Sequence, residues 1–166
     1  MRIGILSDSH GRTGITARAI GELETRGVDL LIHLGDVETD AVIDELAGHS
    51  VRLVFGNCDW DLDGLTRYAR NLEVIVDHPM GRLEIEGKHI AFTHGHLGQL
   101  MEQALDDGVD YLLHGHTHEL SDNKVGRTRI INPGALFRAS RYTCAILDPT
   151  ANALTIIEIP SMNSHS

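Results

Sequence analysis

The sequence predicts an α/β domain built on a mainly parallel sheet. Three observations predict it. Short apolar runs alternate with helically spaced segments through the first third of the chain. Asp, His and Asn clusters sit directly after those runs, where an open sheet gathers its ligands. Aromatic residues make up only 4% of the 166, so the core must rest on Ile, Leu, Val and Ala.

The elements read in order as follows. Arg2 to Ser7 is an apolar run that suits a buried strand. Thr13 to Gly27 has apolar residues at Ile15, Ala19, Ile20 and Leu23, which is helical spacing, with Gly27 as the stop. Leu30–Leu34 is a second strand, Ala41–Leu46 a short helix, and Val51–Phe55 a third strand ending at Gly56-Asn57. Leu72–Val76, Arg82–Glu86 and His89–Thr93 read as strands, with turns at Pro79–Gly81 and Gly87-Lys88. Gly98–Asp106 reads as a helix and Tyr111–His114 as a short strand. Further strands fall at Thr128–Ile131, Thr143–Leu147 and Leu154–Ile159, with turns at Pro133-Gly134 and Asp148–Asn152. Asp61, Asp63, Asp106, Asp107 and Asp110 read as solvated charges and turn formers. One domain over residues 1–160 is expected, followed by a polar, disordered tail over 161–166.

The formal net charge is −10. That disfavours nucleic acid as a partner, because such binding needs Lys and Arg against the phosphates. Cys58 and Cys144 are the only cysteines, which implies no disulfide framework and suits a reducing, cytoplasmic setting. No signal peptide or membrane-length apolar segment is visible, so no membrane partner is expected. A homo-oligomer is left open.

The chemistry lies in five pieces. Asp8-Ser9-His10 puts a carboxylate and an imidazole two positions apart, on one side of an extended chain. Alone it is as easily a helix cap. Gly35-Asp36 and Gly56-Asn57-Cys58-Asp59 add oxygen donors behind glycines, although Gly-Asp and Gly-Asn are also common turn pairs. Thr93-His94-Gly95-His96 and His114-Gly115-His116-Thr117-His118 carry five imidazoles in two short segments. As packing elements those are costly, since each buried ring must satisfy two nitrogens. Together the set offers mixed N and O donors for divalent metals.

The order D-x-H, G-D, G-N-x-D, H-G-H, G-H-T-H resembles the calcineurin-like metallophosphoesterase superfamily. With the short length and Asn132-Pro133-Gly134-Ala135, it resembles most the small YfcE-like phosphodiesterase branch, which is related to a eukaryotic retromer subunit. The resemblance implies a four-layer α-β-β-α sandwich of two mixed sheets flanked by helices. It also implies two divalent cations, with Mn the first choice and Fe, Zn, Ni or Co open. Asp8, His10, Asp36 and His118 would hold one cation. Asp36, Asn57, His94 and His116 would hold the other, with Asp36 as the bridge. The implied reaction is in-line attack on phosphorus by a hydroxide between the metals, on a small anionic phosphodiester. The alternative is a scaffold of the same fold with weak or absent catalysis.

One departure stands out. Many relatives carry His at the Cys58 position as general acid for the leaving oxygen. A thiol is a poorer acid near neutrality, and the negative charge of Asp59 would raise its pKa further. His96 or His114 is the substitute, if one exists. Asp36, Asn57, Cys58, Asp59 and His96 are thus the candidate catalytic residues, with Arg138 or Arg141 as a possible phosphate contact.

Overall fold

A computed structural model describes residues 1–161. Apart from Ser161, the tail expected over 161–166 lies outside the described residues. Strands β1 (Ile3–Leu6), β2 (Leu30–His33), β3 (Val51–Leu53) and β4 (Ile75–Val76) pair in parallel, and β10 (Tyr142–Asp148) and β11 (Ala153–Ile159) extend that sheet antiparallel beyond β1. The second sheet runs β5 (Met80–Ile85), β6 (Lys88–Thr93), β7 (Tyr111–Leu113), β9 (Thr128–Asn132), β8 (Ser121–Val125). Its inner pairs β6–β7 and β7–β9 are parallel and its two edges antiparallel. Both sheets are mixed, as expected.

Alternation along the strands builds the layers. Ile3 and Ile5 of β1 meet Ile90 and Phe92 of β6 and Tyr111 and Leu113 of β7 in an apolar layer between the sheets. The opposite face of the first sheet packs on helices α1 (Thr13–Thr25), α2 (Asp40–Leu46) and α3 (Leu62–Asn71), through residues such as Leu6, Leu31 and Leu53 against Ile20, Ile43 and Leu65. On the far side of the second sheet, Ala91 and Leu112 meet Ala104 of α4 (Gly98–Asp106). The result is α-β-β-α.

Two elements depart from the sequence reading. The stretch taken as turn-forming charge is α3. Its Asp61 caps the N-terminus by accepting from the Gly64 N–H at 3.0 Å, and only Leu65 and Ala69 of its residues are buried. The segment is amphipathic, but so polar overall that its charges mask the helical spacing of its few apolar residues. The helix C-cap at Leu72 and the turn that follows take the front of the expected Leu72–Val76 strand, leaving Ile75–Val76 as β4. The other is β8, an edge strand of Ser-Asp-Asn-Lys-Val whose residues are exposed after the first. Its Asp and Asn are poor strand formers, and pairing with β9 overrides them. Near Pro79 the expected turn is shorter, because β5 begins at Met80.

Candidate metal centre

Each apolar strand delivers a polar residue to one edge. Asp8 and His10 follow β1, Asp36 follows β2, Asn57 follows β3, His94 follows β6, and His116 and His118 follow β7. Because β1 to β3 are mutually parallel, and β6 is parallel to β7, their C-terminal ends open on common edges.

The backbone there is not extended. Asp8, His10, Asp36, His116 and His118 all have positive φ, between 43° and 73°. Asp8 and His10 therefore converge through left-handed turns, not through the alternation of a strand. Such conformations are uncommon for non-glycine residues, although Asp and His adopt them more readily than most, and they concentrate at functional sites. Gly35 is needed for a different reason. At φ 103° a Cβ on it would lie 2.7 Å from the Gly56 nitrogen and 2.9 Å from His94 Nδ1, so three loops meet over its bare Cα.

The donor atoms crowd together. Asp8 Oδ1 lies 3.3 Å from His118 Nε2, 3.7 Å from His10 Nε2 and 3.9 Å from His94 Nε2. Asp36 Oδ2 is 3.1 Å from His94 Nε2 and 3.4 Å from His10 Nε2. Asn57 Oδ1 is 3.1 Å from both His94 Nε2 and His116 Nδ1. Cys58 joins His10 and Asp36 as a third group of donors within 4.8 Å of one another. Asp8 and His94 are fully buried and Asp36 nearly so, whereas Asn57 and His116 are exposed, so the cluster has a deep end and an open end.

Two features show that this donor set fits cations. Asp8 Oδ2 accepts from the Ser7 hydroxyl at 2.6 Å and the His116 N–H at 3.1 Å, but among the described residues the buried Asp8 Oδ1 has no hydrogen-bond partner. A buried carboxylate oxygen is costly unless something positive meets it. The ring nitrogens are also committed in one direction. His94 Nδ1 donates to the Leu34 carbonyl at 2.7 Å, and His10 Nδ1 donates to Glu38 Oε1 at 2.7 Å. In its neutral form each ring turns its Nε2 lone pair toward the cluster, the arrangement that metal-binding histidines need.

Protonation follows the crowding. Burial disfavours the charged form of His10, but its bonds to Asp8 and Glu38 and the Asp36 charge outweigh that and raise its pKa to about 9. Burial opposes the Asp36 carboxylate as well, yet its partners, His94 first, hold it down to about 2. The Cys58 thiol is pushed up to about 11, by burial first and then by the charges of Asp36 and Glu38.

Other expected residues fall as follows. Asp59 is buried, and its two oxygens accept from three backbone amides, those of Asp36 (2.8 Å), Gly56 (2.8 Å) and Glu38 (2.7 Å). It ties the β2 and β3 loops together. The His96 ring lies tilted beside those of His94 and His116, with centroids 5.4 and 6.1 Å away, and among the described residues its buried Nδ1 has no partner. Arg138 lines the cleft beside the cluster; Arg141 is turned away to Glu158 at 3.5 Å.

Sequence reading missed Glu38, Arg12, Phe137 and His33. Glu38 had one signal, an acidic residue two positions after Asp36. His33 is fully buried, its Nδ1 accepting from the Gly35 N–H at 3.1 Å and its Nε2 meeting Ser9 Oγ at 2.8 Å. Burial lowers its pKa from 6.5 to about 4. Its native form is therefore neutral, and as pH falls the unfolded chain takes up the proton first. Stability from this site is full above pH 6.5 and is lost as pH falls toward 4. In metal-free protein, the stability difference between wild type and His33→Gln should shrink by about 3 kcal/mol from pH 8 to pH 4. Urea unfolding measures it, and a difference independent of pH contradicts it.

The fold and this site define a class. A family model described as the calcineurin-like phosphoesterase superfamily domain matches residues 1–152, and the chain belongs to that superfamily. Among curated relatives, the phosphodiesterase MJ0936 of Methanocaldococcus jannaschii is 32% identical over 139 residues, 81% of this chain and 83% of that protein. The phosphodiesterase YfcE of Escherichia coli K12 is 29% identical over 153 residues, 82% of this chain and 79% of that one. Among solved structures, an archaeal phosphodiesterase superposes with a TM-score of 0.87 at 30% identity, over 96% of this chain and all of that one. The fold alone is shared with zinc-complexed Vps29 of Entamoeba histolytica (TM-score 0.65, 20% identity, 99% of this chain and 95% of that one).

Proposed function

We propose that this chain is a metal-dependent phosphodiesterase acting on small anionic diesters, with the whole of residues 1–160 as its one domain. The observation that carries the reading is the buried, unpartnered Asp8 Oδ1 amid three imidazole Nε2 atoms. Asp8, His10, Asp36 and His118 would hold one divalent cation, and Asp36, Asn57, His94 and His116 a second. Mn is the first candidate, since N and O donors of this kind do not select strongly among Mn, Fe, Co, Ni and Zn. When bound, such cations supply Lewis acidity toward phosphate oxygens and acidify water. The chain's own residues do the rest. Glu38 and the Leu34 carbonyl aim the His10 and His94 rings, and Asp59 locks the loop that carries Asp36 to the loop that carries Asn57. We assign Asp59 to positioning and not to proton transfer. A cleft of about 480 Å³ lies over the cluster, lined by His10, Asp36, Asn57, Cys58 and His116 among others.

Relatives that are phosphodiesterases and a complete ligand set both support an enzyme over a scaffold. No helix among the described residues is long and apolar enough to cross a membrane, and two unpaired cysteines suit the cytoplasm. Hydrolysis of a chromogenic phosphodiester, alongside metal analysis, tests the reading. Turnover that appears with added Mn and vanishes with chelator supports it; a metal-replete protein with none supports the scaffold.

Cys58 adds a prediction. A thiol with a pKa raised to about 11 is a weak proton donor to a departing oxygen near pH 7. Rates should therefore fall steeply with leaving-group pKa, alkyl diesters being far slower than nitrophenyl ones. Cys58→Ala should change nitrophenyl ester hydrolysis little. A shallow dependence that Cys58→Ala makes steep would show that Cys58 is the acid.

A further inference from the structure

The cleft is unlike on its two sides. On one side it shares Glu38 and Cys58 with a hollow of about 500 Å³ that is also lined by Asp40, Asp61 and Trp60. Three carboxylates there repel an anion. On the other side stands Phe137, whose ring centroid is 5.1 Å from that of His10. Two guanidiniums lie over the Phe137 ring, Arg12 at 4.6 Å and Arg138 at 5.0 Å from the centroid. Both residues line the cleft.

These two arginines are uncommitted in an acidic protein. With 24 Asp and Glu against 14 Lys and Arg, carboxylates are plentiful, and Arg26, Arg52, Arg82, Arg127, Arg129 and Arg141 each pair with one. Among the described residues, Arg2, Arg12, Arg18, Arg67, Arg70 and Arg138 have no carboxylate partner within 4.0 Å, and of these only Arg12 and Arg138 line the cleft. Arg12, and the chain two residues before Arg138, are held by backbone bonds nonetheless. The Arg12 N–H donates to the Ser9 carbonyl at 2.9 Å, and the Leu136 N–H, just before Phe137, donates to the Ser7 carbonyl at 3.3 Å. Both arginines are thus registered to the loop that carries Asp8. Helix α1 begins next to Arg12 with no side-chain cap and no acidic residue in its first turn, which leaves its positive end uncompensated. A second hollow of about 350 Å³, lined by Arg12, Thr13 and Phe137 among others, continues from the cleft on this side.

We infer that Arg12 and Arg138, stacked on Phe137, form a clamp for a second phosphate group on the substrate. The preferred diester then carries a phosphate monoester on the arm that does not leave. The ring holds both forks in place, so less side-chain freedom is lost when they close on the anion, and a planar guanidinium matches phosphate in a bidentate way. The carboxylates on the Trp60 side repel a phosphate there, which leaves that side to the uncharged leaving group. This rests on the phosphodiesterase reading above and names the substrate class of that site.

The test uses two chromogenic diesters with one leaving group: the nitrophenyl ester of thymidine 5′-phosphate, with and without a 3′-phosphate. Mn-loaded wild type should favour the 3′-phosphorylated ester about tenfold or more in kcat/KM, chiefly through KM. Arg12→Gln and Arg138→Gln should each lower that ratio, and the double variant should bring it close to one. Arg141→Gln, whose side chain faces Glu158, should keep it. A wild-type ratio near one, or a ratio that survives the double variant, overturns the clamp. Calorimetry with thymidine 3′,5′-bisphosphate and thymidine 5′-phosphate reads the same preference without turnover. If neither ester is cleaved, the phosphodiesterase reading fails, and the clamp still stands or falls on whether the double variant loses the preference for the bisphosphate.

Discussion

Asp36→Asn should abolish most of the activity and lower the metal content of the protein while leaving it folded. Asp36 has φ 59°, a conformation that Asn tolerates well, so the backbone has no reason to move. The amide oxygen can still accept from the Cys58 N–H, as Asp36 Oδ1 now does at 2.9 Å. The NH2 group then takes the place of Oδ2, which faces His94 Nε2 at 3.1 Å and His10 Nε2 at 3.4 Å. A charged acceptor shared by both proposed sites becomes a neutral donor. Losing an outer partner of a metal ligand typically costs 10- to 100-fold, so losing a shared ligand should cost more than about 100-fold in kcat/KM. Near-wild-type activity with full metal content would show that Asp36 is not the bridge.

Gly56→Ala should be nearly as damaging without touching any donor atom. A methyl at Gly56 would run into Asp36 Oδ1 and come within 2.8 Å of His94 Cδ2. The Asp36 carboxylate is gripped by the Cys58 N–H, and the Gly56 N–H is itself held by Asp59 at 2.8 Å, so the strain falls on the ligands. A misplacement of about 1 Å at a reacting centre can cost about 100-fold, and a loss of that order is expected here. Gly21→Ala is the control. It sits in α1 with nothing within 4 Å of its would-be Cβ, and should leave activity intact and raise stability by about 0.5–1 kcal/mol. Unimpaired kcat/KM in Gly56→Ala would mean that the Asp36 carboxylate has room to move.

Much of this was legible in the sequence, for physical reasons. A strand buried on both faces reads as a continuous apolar run, which exposed β1, β2 and β7. The clusters after those runs were visible because Asp, Asn and His are conspicuous residue types in Gly-rich turns. What could not be read depends on approach in space. Glu38 meets His10 across 28 positions, and Phe137 meets His10 across an entire domain's length of chain. No local pattern marks such pairs. Asp59 was legible as a polar neighbour of Cys58, but that its oxygens are spent on three amides is a property of the folded loops. The motif D-x-H was legible too, although the chain brings its ends together by positive φ and not by strand alternation.

The proposed function rests on seven side chains holding two cations in one cluster. Anomalous diffraction at the Mn edge, from crystals soaked in Mn, tests it most directly. Two anomalous peaks are expected in each chain, one among Asp8, His10, Asp36 and His118 and the other among Asp36, Asn57, His94 and His116. A single peak, or peaks away from these residues, would contradict it.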